Sequence, residues 1–258
     1  MMDIDSYLQR IKIKEKVSPT VDTLHNLHLA HLYSVPFENL DIHLSRPIVL
    51  NLDRLFAKIV RRNRGGFCYE LNGLFAWLLG ELGFNVTLLS AIAAHDNGGF
   101  GPEFDHLVLR VECPADPVTP SVPWLVDVGW GDTFRYPLRL DRPDVDQLEG
   151  ARGFRIDRVG DSRLLWQQDQ GGLWEKQYRF SLRPRQLTDF EPMCLYHQTS
   201  PESHFTQQRI CTLATPDGRI TLSEQKLILT KNGRRQERQL APDEYWDVLS
   251  KRFGIDLK

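Results

Sequence analysis

A chain of 258 residues that is 41% hydrophobic can bury a sizeable core, so a wholly disordered polymer is excluded. Thirty-two Lys and Arg against thirty-four Asp and Glu give a net charge of -2. That balance advertises neither a nucleic-acid face nor a polybasic membrane tail, and a small molecule is the expected partner. No apolar run approaches the roughly 20 residues that span a bilayer, and "MMDIDSYLQRIKIKEK" lacks the charged-then-apolar order of a signal peptide; a cytoplasmic protein is expected.

The first eighty-odd residues read as helices. In "SPTVDTLHNLHLAHLYSV", Ser18 serves as N-cap and Pro19 as first helical residue, with Val21, Leu24, Leu27, Leu32 and Val35 on one stripe. Asn51 caps a second helix, "NLDRLFAKIV", with Leu52, Leu55, Phe56, Ile59 and Val60 inward. His25, His28 and His31 recur every third residue and read as a helix-surface run, because no Cys or carboxylate completes a metal set. After Gly83 the period changes. "NVTLLSAIAA", "HLVLRVE", "WLVDVG", "GFRIDRV", "RLLWQQ" and "WEKQYRF" are β-prone runs divided by turn residues, predicting an antiparallel sheet or barrel. "RICTLAT", "RITLS", "KLILT" and a last helix, "PDEYWDVLSKRF", make a mixed third segment.

Four cysteines, Cys68, Cys113, Cys194 and Cys211, are far apart and form no CxxC, which argues against zinc and against a disulfide framework. Cys68 differs in its surroundings. From it onward Leu71, Leu74, Phe75, Leu78, Leu79 and Leu82 trace one helical face ending at Gly83, so Cys68 sits in a first turn, where amide N–H groups and the helix dipole favour a thiolate. Gly65 and Gly66 are expected to turn the backbone tightly and leave a reactant room to reach the sulfur. A helix start whose cysteine merely packs is the alternative.

A thiolate nucleophile needs a base and a group to orient it. "FDHLVLRVE" places His106 at the mouth of a strand, and "WLVDVGWGD" places Asp127 in the middle of an apolar strand, where a carboxylate is costly unless it faces a cation or donors. A satisfied core or surface histidine and a strand-end turn residue are the plainer readings of the two taken singly.

"VPFENLDI", "RGGFCYELNGLF", "FDHLVL" and "WLVDVGWG" together resemble the arylamine N-acetyltransferases, in order and spacing over nearly the whole chain. The resemblance implies an α+β fold with a cysteine-protease or transglutaminase-like core. Its parts would be an N-terminal helical bundle (residues 1–85), a central antiparallel β-barrel (86–190) and a C-terminal α/β lid (191–258). It also implies a triad on Cys68, His106 and Asp127, with acetyl-CoA as acyl donor, an arylamine, hydrazine or N-hydroxyarylamine as acceptor, and no metal. Phe37, Phe104 and Phe205 are the implied acceptor contacts, with core packing as their alternative. Gly129, Ser203 and Phe205 are the implied CoA contacts, the last two within "QTSPESHF". Glu38 and Arg64 are expected to pair and hold the nucleophile loop. "NGGFGPEF" lacks the lysine and following helix of a phosphate-binding loop. Peptidases or transglutaminase-like enzymes with the same triad, amide synthases fed by a carrier-bound acyl chain, and an idle binding protein are the competing functions. No motif fixes an oligomeric state.

Overall fold

The computed structural model describes residues 2–95, 98–114, 121–168 and 171–257. Helices dominate the first third. Ile4–Arg10 starts at Asp3, whose carboxylate accepts the Ser6 N–H at 2.7 Å. The next helix, Val21–Ser34, is capped by Thr20, whose hydroxyl accepts the Thr23 N–H at 3.2 Å. The start therefore lies later than the expected Ser18 cap, because Thr20 satisfies an orphan first-turn amide. Asn51 caps Leu52–Phe56 by accepting the Arg54 N–H at 3.2 Å, and the helix widens into a π-helical turn over Ala57–Arg61.

The helix Cys68–Glu81 lies at the centre. Every residue from Cys68 to Ala76 is buried, so it has no solvent stripe and packs on all sides. Gly83, at φ +93°, ends it in a left-handed turn that a side chain would resist.

Against it packs an eight-stranded antiparallel sheet, nearly closed into a barrel. From edge to edge the strands are Leu138–Arg139, Pro123–Val126, His106–Glu112, Asn85–Ala93, Trp174–Arg185, Ser162–Gln168, Arg152–Val159 and Gln147–Glu149. The seam between the two edges is bridged by a side chain: the Arg139 N–H donates to Gln147 Oε1 at 2.7 Å, and Gln147 Nε2 donates to the Arg139 carbonyl at 3.1 Å. Strand His106–Glu112 is apolar at Leu107, Val108, Leu109 and Val111 because both faces are covered there. Leu107, Leu109 and Val111 join the helical core, and Val108 points into the barrel with Leu89, Leu125, Phe154 and Phe180.

A second sheet runs Phe37–Glu38, Ile210–Thr215, Gly218–Ser223, Lys226–Lys231 and Arg234–Gln239, with helix Glu244–Phe253 packed on it through Tyr245, Leu249 and Phe253 against Cys211, Leu222 and Leu227. Phe37–Glu38 is thus the one N-terminal segment in this sheet, paired to Ile210–Thr215, and it lies beside the loop that precedes Cys68. Among the described residues no helix is long and apolar enough to cross a membrane.

Candidate active site

Cys68 is the first residue of the central helix. That start is held by Glu70, whose Oε2 accepts the Phe67 N–H at 3.1 Å. The two glycines ahead of it serve close packing rather than access to the sulfur. A Cβ on Gly65 would lie 1.9 Å from the Pro36 carbonyl oxygen, and one on Gly66 2.8 Å from the Glu70 side chain. Their bareness lets Phe37 pair with Gly66 and the Glu38 N–H donate to the Gly66 carbonyl at 2.9 Å.

Under that loop lies a buried charge cluster. Arg64 Nη2 reaches Glu38 Oε1 at 2.8 Å and Asp41 Oδ1 at 2.9 Å, while Lys58 Nζ reaches Asp41 Oδ2 and Glu70 Oε1, each at 2.8 Å. Three carboxylates share two cations. Burial, with Glu38 and Asp41 adding like charge against the pull of Lys58, pushes the Glu70 carboxyl up to about 7.

His106 opens its strand, and Asp127 directly follows Pro123–Val126, at the strand end rather than in its middle. Antiparallel pairing of Leu109 with Val126 brings the two together, His106 Nε2 lying 2.8 Å from Asp127 Oδ2. His106 is 2% exposed and Asp127 0%. The other carboxylate oxygen accepts Asn72 Nδ2 and the Gly129 N–H, each at 2.9 Å. Burial opposes ionisation of Asp127, but the His106 ring and these two donors outweigh it and hold its carboxyl below the ordinary value.

Cys68 and His106 line one cavity of about 280 Å³, walled largely by Phe37, Trp130 and Phe205. Trp130 and Tyr178 pack on the imidazole with ring centroids at 4.8 and 5.3 Å. Gly129 also lines the cavity; a Cβ there would come within 2.8 Å of Cys68 Cα, so only glycine can pass over the helix start. Phe104 and Ser203 do not line it. Phe104 packs edge-on against Phe190 at 5.3 Å, beneath the Arg185 guanidinium at 4.7 Å. Ser203 is buried as the cap of His204–Gln207, its hydroxyl accepting the Phe205 N–H at 3.3 Å.

The thiol departs from expectation. Burial pushes the Cys68 thiol well above its ordinary value, and the nearby Asp105 and Asp127 carboxylates add to that; the helix start does not offset them. A lone thiolate is disfavoured here, and the charged form needs a cation beside it.

Two buried polar residues of the site escaped the sequence reading. Asn72 uses its whole amide: Nδ2 donates to the Leu107 carbonyl at 2.7 Å and to Asp127, and Oδ1 accepts the Val128 N–H at 2.9 Å. It locks the central helix to both catalytic-side strands. A lone Asn within the apolar run "CYELNGLF" was the available signal. His28 is fully buried, correcting the surface reading of the histidine run; His31 is buried as well, with Nδ1 3.1 Å from the Tyr7 hydroxyl. His28 Nδ1 lies 2.8 Å from the Arg135 carbonyl, and Nε2 3.4 Å from the Asp127 N–H and 3.1 Å from its carbonyl. Burial lowers its pKa to about 4, so it is neutral, and the Nδ1–H tautomer donates to the Arg135 carbonyl while Nε2 accepts the Asp127 N–H. Among the described residues no group of three or more His, Cys, Asp or Glu could hold a metal ion.

Helices packed on a nearly closed antiparallel barrel, with a buried thiol and a carboxylate-paired histidine on one cavity, have the parts that an acyl-transfer enzyme uses. A family model described as N-acetyltransferase matches residues 20–258. The arylamine N-acetyltransferase of Mycolicibacterium smegmatis is 37% identical over 99% of this chain and 93% of its own. The solved M. smegmatis arylamine N-acetyltransferase superposes with a TM-score of 0.90 at 36% identity, covering 100% of this chain and 93% of that one. Mycobacterium marinum arylamine N-acetyltransferase in complex with CoA gives 0.89 at 33% identity, covering 98% and 93%. The chain belongs to the arylamine N-acetyltransferase family and is an acyltransferase.

Proposed function

We propose that the chain moves an acetyl group from acetyl-CoA to an arylamine, hydrazine or N-hydroxyarylamine through a thioester on Cys68. The observation that carries this is the 2.8 Å contact between His106 Nε2 and buried Asp127, on the cavity that Cys68 also lines. The names of the relatives and the CoA complex of the M. marinum enzyme support the two substrates. They favour acetyl-CoA over a carrier-bound or peptide acyl donor. Four free cysteines accord with a cytoplasmic setting.

With Nε2 turned to Asp127, Nδ1 of His106 is the ring nitrogen that takes the Cys68 proton. Asp127 stabilises the imidazolium, and the resulting ion pair is the form in which the buried thiolate exists. The thiolate attacks the acetyl carbonyl, the bond from that carbon to the CoA sulfur breaks, and His106 returns the proton to the departing sulfur. In the second step the amine attacks the Cys68 thioester, His106 accepts the amine proton, and the Cys68 sulfur leaves. Backbone N–H groups at the helix start, that of Cys68 included, face the oxyanion. Phe37 and Phe205 flank an acceptor ring, and Gly129 and Phe205 border the path of the donor.

Initial rates at varied acetyl-CoA and arylamine test this reading: parallel double-reciprocal lines are expected, and intersecting lines would overturn the two-step transfer. The thiol chemistry has its own test. Alkylation of Cys68 by iodoacetamide is expected to stay fast through neutral pH and to fall in acid, as His106-paired thiolate is protonated. In His106→Gln the thiol is left to burial alone, so its inflection should move above the ordinary value near 9, with the rate at pH 7 down by roughly 100-fold. Equal rates in the two proteins would remove His106 from the pair.

A further inference from the structure

Beyond the triad, the cavity wall carries one more carboxylate, Asp105. It precedes His106 in the chain, yet its side chain is engaged elsewhere. Oδ2 accepts the Ala93 N–H at 3.3 Å, and Oδ1 lies 3.1 Å from His197 Nε2, off the line of a hydrogen bond. His197 is itself seated by Nδ1, 3.1 Å from the Ser203 hydroxyl. The backbone is clamped too. Phe104 adopts φ +66°, a left-handed conformation that costs a bulky residue energy, and the Tyr69 hydroxyl donates to the Phe104 and Asp105 carbonyls at 2.7 and 3.0 Å. Strain of this kind, held by a buried tyrosine, fixes where the Asp105 carboxylate points.

The proton transfers of the reaction are handled by His106 and Asp127, so Asp105 is not needed for them. Its surroundings set it apart. Ala93, Phe37, Phe205, Trp130 and Ile210 make much of the wall apolar, and His204 is the other polar ring lining it, 6.3 Å from His197. Burial opposes the charge of Asp105, but His197 and the Ala93 N–H hold its carboxyl below the ordinary value, so it is an anion at neutral pH. A fixed negative charge on a small, largely apolar cavity acts on any charge that enters, because little solvent lies between them. A carboxylate can accept about four hydrogen bonds, which leaves this one capacity for a donor on a ligand.

We propose that Asp105 is a specificity-determining residue for the acceptor, favouring amines and hydrazines that carry a cationic or hydrogen-bond-donating group over amines that carry a carboxylate. The inference rests on the acetyl-transfer reading above and adds the class of acceptor to it.

The test compares kcat/KM for three acceptors of similar shape, 4-methylaniline, 4-(aminomethyl)aniline and 4-aminobenzoate, in the wild type and in Asp105→Asn. Asparagine keeps an oxygen for the Ala93 N–H and removes the charge. The ratio of 4-aminobenzoate to 4-methylaniline is expected to rise roughly 10- to 100-fold in the variant, and the ratio of 4-(aminomethyl)aniline to 4-methylaniline to fall by a similar factor. Taking ratios cancels each amine's own nucleophilicity. Asp105→Ser supplies the same comparison should the asparagine variant fold poorly. Ratios unchanged within twofold in a folded variant would overturn the proposal. Acetylation of the wild-type enzyme by acetyl-CoA, followed separately by mass, distinguishes the two layers: no acetyl-enzyme would overturn the transfer reading itself, whereas a normal acetyl-enzyme with unchanged ratios overturns only the role of Asp105.

Discussion

Replacing Cys68 with serine is expected to lower acetyl transfer by about 10⁴-fold or more while leaving the melting temperature close to that of the wild type. Serine nearly matches cysteine in shape, and at a residue 3% exposed in the central core it leaves no appreciable cavity. The chemistry is another matter. A hydroxyl gives up its proton far less readily than a thiol, and burial, which already raises the Cys68 thiol, would raise a hydroxyl further. The His106–Asp127 pair then faces a proton far harder to remove than that of the thiol. An enzyme that kept its activity within tenfold would place the acetyl intermediate elsewhere, or show direct transfer between bound substrates.

Arg64→Ala is expected to cost about 3 to 5 kcal/mol of stability, because it strands buried carboxylates. The guanidinium donates from Nε to Glu38 Oε1 at 3.0 Å and from Nη2 to Asp41 Oδ1 at 2.9 Å, and its removal leaves Lys58 to serve Glu38, Asp41 and Glu70 alone. For a domain of this size that corresponds to a melting temperature lower by roughly 6 to 20 °C. Arg64→Lys should fall between, since one ammonium replaces the charge but not the fork that spans two acids. The consequence reaches the site through the loop: the Glu38 N–H is bonded to the Gly66 carbonyl, two residues before Cys68. A thermal melt of Arg64→Ala superimposable on the wild type would show that the cluster does not hold this loop.

Much of this arrangement could be read from the chain alone, and the omissions have physical causes. The helix after Cys68 announces itself by apolar spacing, and a carboxylate read as lying within an apolar strand points to Asp127, although the strand ends one residue before it. The histidines of Val21–Ser34 were misread because a polar residue at every third position resembles a solvated face. The burial of His28 is decided by Arg135 and Asp127, which arrive about a hundred residues later in the chain. The strand Arg234–Gln239 was missed since "RRQERQ" is exposed at every position and has no alternation to detect. The helix start favours a thiolate locally, and burial, a property of the whole packing, opposes it. Phe104 illustrates the same limit, since a left-handed φ turns it toward Phe190.

Intact-mass spectrometry of the protein mixed with acetyl-CoA and no amine, followed by peptide mapping and then addition of an arylamine, tests the central claim most directly. One acetyl group on the Cys68 peptide, discharged when the amine is added, is the predicted result. An alkylation-reactive Cys68 that acquires no acetyl group would contradict the account.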